Sequence, residues 1–265
     1  MNEEIKVLDY GYVKLVETWG SDQSIIEAAR MSTQKGFQGW GPFITGERIP
    51  CPNHNSTAWC SRCGGPEGDR TIPEEKPGDE KLLRYLYENA HSTPFEFAGM
   101  VIEVKAPIMV FREWHRHRSQ GYNEASARYA PLPDENYLPT LERCMLGGGH
   151  VTKQAAAHGD VVLNETDALH WLSCLADVYE HCERVYQHGL RIGIPKELAR
   201  LPVPVARYSK MRATTNLRMW LAFSTLRSTA KNPAAQWEIR QYADVVGNLL
   251  GNHFPRTWEI FSGVS

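Results

Sequence analysis

Several features are absent from this sequence of 265 residues. No apolar run approaches the roughly 20 residues of a membrane-spanning helix, which argues against a bilayer as partner. No charge sign dominates: 29 Lys+Arg stand against 31 Asp+Glu, a net charge of −2. A near-neutral chain gives no global reason to expect nucleic acid or an anionic surface as partner. The first residues, MNEEIKVLDYGY, are acidic and lack the apolar centre of a signal peptide. The expected location is therefore cytoplasmic, in a bacterium or in a host cell if the gene is phage-borne. No internal repeat is visible. Cysteine is sparse, with six residues at 51, 60, 63, 144, 174 and 182. In a reducing compartment these stay thiols, and the close spacings point to metal before disulfide.

What is present is enough apolar material, 42% of residues, for one sizeable core. A single catalytic domain over 1–265 with an insertion at about 34–78 is expected. KVLDYGYVKLVETW alternates and reads as strand. SDQSIIEAARMS reads as a short helix capped by Ser21 or Asp22. The segment 34–78 is rich in Gly, Pro, Asn, Ser and Cys, has no helical period, and is long for a loop. DEKLLRYLYENAH returns to helix with Leu82, Leu83, Leu86 and Tyr87 on one face. FEFAGMVIEVKA alternates as a strand, and Pro107 suits the first turn of a helix PIMVFREWHRHR. SQGYNEASARYAPLP reads as loop. Beyond it the chain is mostly helical. One helix carries Leu169, Leu172, Leu175, Ala176 and Val178 or Tyr179 and ends at Gly189. Others start at PKELAR, TTNLRMWLAFSTLRS and AAQWEIRQYADVVGNLLGNHF. The class is α+β, a small mainly antiparallel sheet packed with several helices.

Against that even background one stretch is concentrated. Phe111 to Arg128 holds Arg112, Arg116, Arg118 and Arg128 with His115 and His117. Asn123, Glu124, Ser126 and Tyr129 are interleaved or adjacent. A helix ending in RHR fans these side chains about 100° apart. Arginine forks match phosphate bidentately and stack on rings, and Ser hydroxyls with loop N–H groups complete an anion cradle. Glu124 does not suit a pure phosphate site and would serve a hydroxyl, a ring N–H or an arginine. Two other readings stand: a solvated basic helix end, and an RNA patch with Tyr122 and Tyr129 as stacking platforms.

RHRSQGYNEASARY resembles the signature of flavin-dependent thymidylate synthases, an RHR followed by seven residues and Ser, here Arg116, His117, Arg118 and Ser126. HSTPFEF (His91 to Phe97) resembles an upstream block of the same family. ELARLPVP, TTNLR and TLRSTAKNPAAQWEIRQYA resemble later blocks, in the right order. The resemblance implies an α+β homotetramer with FAD and dUMP between subunits. NADPH would reduce the flavin, methylenetetrahydrofolate would give one carbon, and dUMP would become dTMP. By the same resemblance Thr93, Arg116, His117, Arg118 and Glu124 would contact FAD. Asn216, Leu217, Arg218 and Ala222 would add contacts from a neighbouring chain. Glu113, Trp114, His115, Arg116, Glu124, Ala125, Ser126, Ala127 and Arg128 would line the dUMP pocket, and Arg200 would hold phosphate. Arg227 would be the catalytic residue, set against the pyrimidine ring. A fixed guanidinium near N3 and O2 favours the ionised ring and stabilises charge as C5 attacks. Packing in the core is the bland reading of Trp114 and Trp220.

The chain departs from the family pattern in places. Glu113 stands where Gln is common; a carboxylate there repels phosphate and is expected to face ribose or an arginine. Gly121 replaces a usual Ser, Phe97 a usual His, and Ala127 a frequent Gly, harmless if its φ is negative. A C5 methylase or hydroxymethylase of another deoxypyrimidine monophosphate is the alternative enzyme. A zinc-containing nucleic-acid-binding protein is the alternative of another class.

The insertion carries its own motif. CPNHNSTAWCSRC pairs Cys51-x2-His54 with Cys60-x2-Cys63, a ligand set able to close a tetrahedral structural zinc site. Metal could supply the stability that so little apolar content cannot. A reduced-cysteine loop and a redox role are the other readings.

Overall fold

In the computed structural model, residues 3–51, 71–146 and 163–263 are described. In chain order the elements are β1 (Glu4–Val7), β2 (Gly11–Trp19), α1 (Asp22–Ala29), β3 (Phe43–Pro50), β4 (Thr71–Lys76), α2 (Asp79–Glu88), β5 (Gly99–Pro107), α3 (Ile108–Trp114), β6 (Gly121–Glu124), α4 (Leu141–Met145), α5 (Glu165–Arg191), α6 (Lys196–Ala199), β7 (Tyr208–Asn216), α7 (Leu217–Arg227), α8 (Trp237–His253) and α9 (Pro255–Ser262). They form two compact units, one of Met1–Trp19 with Ala98–His253, the other of Gly20–Phe97 with Phe254–Ser265.

The larger unit is built on a five-stranded sheet, β1-β2-β5-β7-β6, with every pairing antiparallel. This is the expected α+β class. In β5, Met100, Ile102, Val104 and Ala106 are fully buried, and in β7 Met211 and Ala213 face the same way. Alternation of this kind puts one sheet face on a core. Helices α3, α7 and α8 cover it. Val110, Phe111, Trp114, Trp220, Phe223, Ile239, Tyr242, Val246 and Leu250 complete the interior. Trp114 stacks on Phe223 with ring centroids 4.7 Å apart, and Trp220 donates Nε1–H to the Met100 carbonyl at 3.1 Å. Gly99 pairs with Asn216, and a Cβ there would strike the Trp19 indole, so the close approach requires glycine.

A buried cation ties this unit together away from the sheet. Arg207 is 0% exposed. It donates to Glu183 of α5 at 2.6 Å, to the Asn136 side chain at 3.1 Å and to the Pro133 carbonyl at 2.7 Å, with Asp134 at 3.3 Å.

The smaller unit holds α1, the antiparallel pair β3–β4, α2 and α9. Ser21 is the α1 cap, in a capping box with Ser24. Asp22 accepts from the Arg256 and Thr257 amides at 3.0 and 3.2 Å, so its carboxylate caps the start of α9. Buried Asp79 binds Arg30 and the Gln38 amide. The strands β3 and β4 lie within the 34–78 segment, which is therefore not all irregular.

Four local expectations are corrected. The helix from Pro107 stops at Trp114, and RHR lies in the following turn, not on the helix end. The Tyr122 hydroxyl sits 2.7 Å from the His117 carbonyl and 3.1 Å from that of Trp114, competing for the groups a continued helix would use. Gly121–Glu124 is an edge strand rather than loop. Thr214–Asn216 ends a strand rather than opening a helix. The long helix runs past Gly189 to Arg191 and carries exposed apolar residues, Trp171, Val178 and Val185 along one side and Leu169 on the other. No helix among the described residues is long and apolar enough to cross a membrane.

Candidate active site

The site is assembled by three neighbours on the sheet: the end of α3, the RHR turn, and α7. Asn216 is both the last residue of β7 and the cap of α7, its side chain accepting from the Met219 amide at 3.0 Å. Helix α7 therefore starts without a loop, and its last residue is Arg227. The RHR turn is a run of i→i+3 bonds: Arg116 to the Glu113 carbonyl at 3.3 Å, His117 to Trp114 at 3.0 Å and Gln120 to His117 at 3.1 Å. Such tight turning splays successive side chains. Arg116 and Arg118 point outward, exposed, with no ion pair among the described residues, while His117 turns in.

The inward turn makes the central contact. Arg227 Nε donates to His117 Nε2 at 3.1 Å, Nη1 to Glu113 Oε2 at 2.8 Å, and Nη2 to the Glu113 carbonyl at 3.3 Å. Phe223 lies edge-on to the His117 ring at 4.9 Å. Glu113 thus faces an arginine, one of the two outcomes expected for it. Burial, and then the charge of Arg227, push the His117 imidazole down to about 4. A neutral ring with Nε2 accepting carries its proton on Nδ1.

The shift has a consequence for stability. The folded value lies below the ordinary 6.5, so the unfolded chain takes up this proton first as pH falls. Stability supplied by neutral His117 is complete above about 6.5 and is lost on the way down to about 4. His117→Asn, whose amide oxygen can accept the same bond, is expected to flatten that decline. Urea unfolding of both proteins at neutral and at mildly acidic pH reads the difference, and parallel curves would refute it.

A cleft of about 390 Å³ opens beside this contact, lined by Arg116, His117, Arg118, Ser119, Gln120, Met219 and Ala222. Gln120 accepts from Trp114 Nε1 at 3.0 Å, yet its own Nε2 is buried without a partner. Two uncompensated guanidinium groups and an orphaned amide donor suit an anionic, acceptor-rich group. A second cleft, about 260 Å³, is lined by Glu103, Asn123, Glu124, Ala125, Lys210, Met211 and Arg212. The loop after β6 is pinned by the Ala125 amide to the Lys210 carbonyl at 2.8 Å and by Ser126 Oγ accepting from the Arg128 amide at 3.3 Å. Lys196 of α6 donates to the Tyr129 carbonyl at 2.8 Å, and Glu197 lies 3.5 Å from Arg128, which brings the Arg200 turn to the same loop.

Other candidates are placed differently. Trp114 and Leu217 are fully buried in the core, with no surface open to a ligand. His115 turns its Nε2 to Met211 Sδ at 3.2 Å and its ring to Tyr122. Arg218 and Ala222 are exposed on α7, and buried Ala127 is not among the residues with positive φ. Thr93 is exposed in the smaller unit, in a short 3-10 turn. Of the zinc set, Cys51 is buried against Ile72, and His54, Cys60 and Cys63 lie outside the described residues. Ser119, Gln120 and Met219 of the first cleft escape the sequence reading. A buried glutamine in a polar turn leaves no mark in the hydrophobic pattern.

The profile of the thymidylate synthase complementing protein family matches residues 14–256. The chain belongs to that family. Among its curated members, the flavin-dependent thymidylate synthase of Thermosipho africanus is 32% identical over 261 residues, covering 97% of this chain and 93% of the relative. That of Thermus thermophilus is 32% identical over 262 residues, covering 97% and 77%. The family fold extends to a solved structure of the UMP/dUMP methylase PolB from Streptomyces cacaoi bound with 5-Br UMP. Its TM-score is 0.72 at 27% identity, covering 98% of this chain and 96% of that one.

Proposed function

We propose that this chain is a flavin-dependent thymidylate synthase that methylates dUMP at C5. The observation that carries the reading is the clamped Arg227 beside the cleft of Arg116, Arg118 and Gln120. The named relatives, all flavin-dependent thymidylate synthases, support it. The lining of the first cleft suits the pyrophosphate part of FAD: Arg116 and Arg118 would meet its phosphates and the Gln120 amide an acceptor. Bound flavin would supply hydride chemistry, with NADPH as reductant and methylenetetrahydrofolate as carbon donor. The chain's own part is electrostatic. Three of the five guanidinium N–H groups of Arg227 are engaged, which leaves two for a pyrimidine edge. Donors fixed before the ring arrives favour its ionised form without reorganisation. The Glu124–Arg128 loop and Arg200 would hold the nucleotide.

The whole chain is read as a single cytoplasmic catalytic domain bearing the 34–78 insertion. The exposed row Trp171, Val178 and Val185 of α5 supports the homotetramer, since apolar rows on water usually mark an interface. Structural zinc on Cys51, His54, Cys60 and Cys63 rests on spacing alone. One preparation tests these points together. The purified protein is expected to bind FAD, elute as a tetramer, carry one zinc per chain, and shift its flavin spectrum on adding dUMP. Turnover with NADPH and methylenetetrahydrofolate should follow. No flavin binding under any condition overturns the central reading. PolB, described as a UMP/dUMP methylase, favours one variant, a related pyrimidine monophosphate as substrate. Parallel assays of dUMP, UMP and dCMP decide it.

A further inference from the structure

Arg227 ends α7 on a long side chain, yet that side chain is 16% exposed and its guanidinium is held by three bonds. Two of the three bonds go to Glu113, one to its carboxylate and one to its carbonyl. The geometry points to Glu113 as a positioning residue for Arg227, a carboxylate that fixes the guanidinium in place and damps its charge where it meets the pyrimidine. This rests on the reading of Arg227 as facing that ring.

The two effects oppose each other. A free arginine side chain loses considerable rotamer freedom when it binds, and a clamp removes that cost beforehand. A carboxylate at 2.8 Å also cancels much of the cation's field, and the field is what favours an ionised ring. The His117 imidazole cannot restore the charge, because it stays neutral above about 4. The other charges on elements packed against α7 are mostly engaged elsewhere: Asp244 of α8 with Thr229 at 2.8 Å, Glu103 of β5 with Tyr12 at 2.8 Å and Arg212 of β7 at 3.5 Å, and Lys105 of β5 with Glu135 at 2.6 Å. Lys210 of β7 lies over the Tyr12 ring, and Arg240 of α8 is intermediate in exposure. Among the described residues, Glu113 is therefore the one counter-charge in contact with Arg227. An amide in its place would keep the bond to Nη1 and remove the charge, so the two effects can be separated.

The test compares the holoenzyme with Glu113→Ala and Glu113→Gln. One readout needs no turnover: the NMR signal of the Arg227 Nε–H, assigned by its loss in Arg227→Lys. The other is kcat and KM for dUMP across pH. Glu113→Ala is expected to bind flavin, lose protection of that Nε–H, and lose about 10²-fold in kcat, the scale of a misplaced catalytic group. Glu113→Gln is expected to keep the protected signal and move the acidic limb of the rate profile down by about one unit, because the undamped cation ionises the ring at lower pH. Should Glu113→Ala not fold, the isosteric Glu113→Gln decides alone. Wild-type behaviour of both variants in signal and profile would overturn the proposal. So would equal loss of kcat in both with an unshifted limb. A protected Arg227 signal in wild-type protein that neither binds flavin nor turns over dUMP would overturn the functional reading, and the proposal with it.

Discussion

Arg227→Ala is expected to fold, to bind FAD, and to lose roughly 10²- to 10³-fold in kcat, the usual cost of removing one preorganised donor to developing charge. The fold should survive because α7 is set by other groups. Asn216 caps its start, and Trp220, Leu221 and Phe223 bury its inner face. The carboxylate left behind is 38% exposed, so water can solvate Glu113 once its partner is gone. Arg227→Lys should fare little better, since one ammonium cannot reproduce a planar fork held at three points. Steady-state turnover of dUMP by flavin-loaded variants is the measurement. Undiminished kcat in the alanine variant would refute the assigned role.

Arg207 predicts the opposite outcome from the same kind of contact. Its side chain is 0% exposed, and Glu183 Oε2 stands 2.6 Å away. The remaining acid, Asp134, lies at 3.3 Å and is 57% exposed. Glu183→Ala is therefore expected to cost about 3–5 kcal/mol, the range for a buried charge stripped of its partner. Urea unfolding measures it, and a loss below about 1 kcal/mol would mean that Asp134 and the Pro133 carbonyl suffice. The difference between the two arginine pairs is solvent. Water reaches the acid of the first, so its loss is expected to spare the fold. Water does not reach the cation of the second, so its loss harms the fold.

Much of this was legible before the fold was seen. The alternation of FEFAGMVIEVKA located β5, Ser21 is the cap of α1 out of the two candidates Ser21 and Asp22, and Leu83 and Leu86 are the buried face of α2. The RHR signature led to the turn that meets Arg227 and to the family. What stayed hidden has physical reasons. Gly121–Glu124 is a four-residue edge strand, paired on one side only and mostly exposed, so no period marks it. The end of the α3 helix depends on Tyr122 reaching back to the Trp114 and His117 carbonyls, a tertiary event that propensity cannot register. In β7 the inward residues include Ser209, Ala213 and Thr215, too small or polar to sound like a strand. The contact of Glu113 with Arg227 spans 114 positions, and only the sheet brings them together.

The shared residue Asn216 turns the sheet into a ruler. Strand β7 is in register with β5 from Tyr208 opposite Pro107 to Asn216 opposite Gly99, and the helix bearing Arg227 begins at the very next position. No slack exists between them. One residue added to β7 would advance the helix by about 3.4 Å and turn alternate side chains to the other face. That step is longer than the bonds from Arg227 to Glu113 and His117. Changes of chain length are therefore excluded from this joint and must be taken up elsewhere, in stretches such as 34–78 that take no part in the five-stranded sheet.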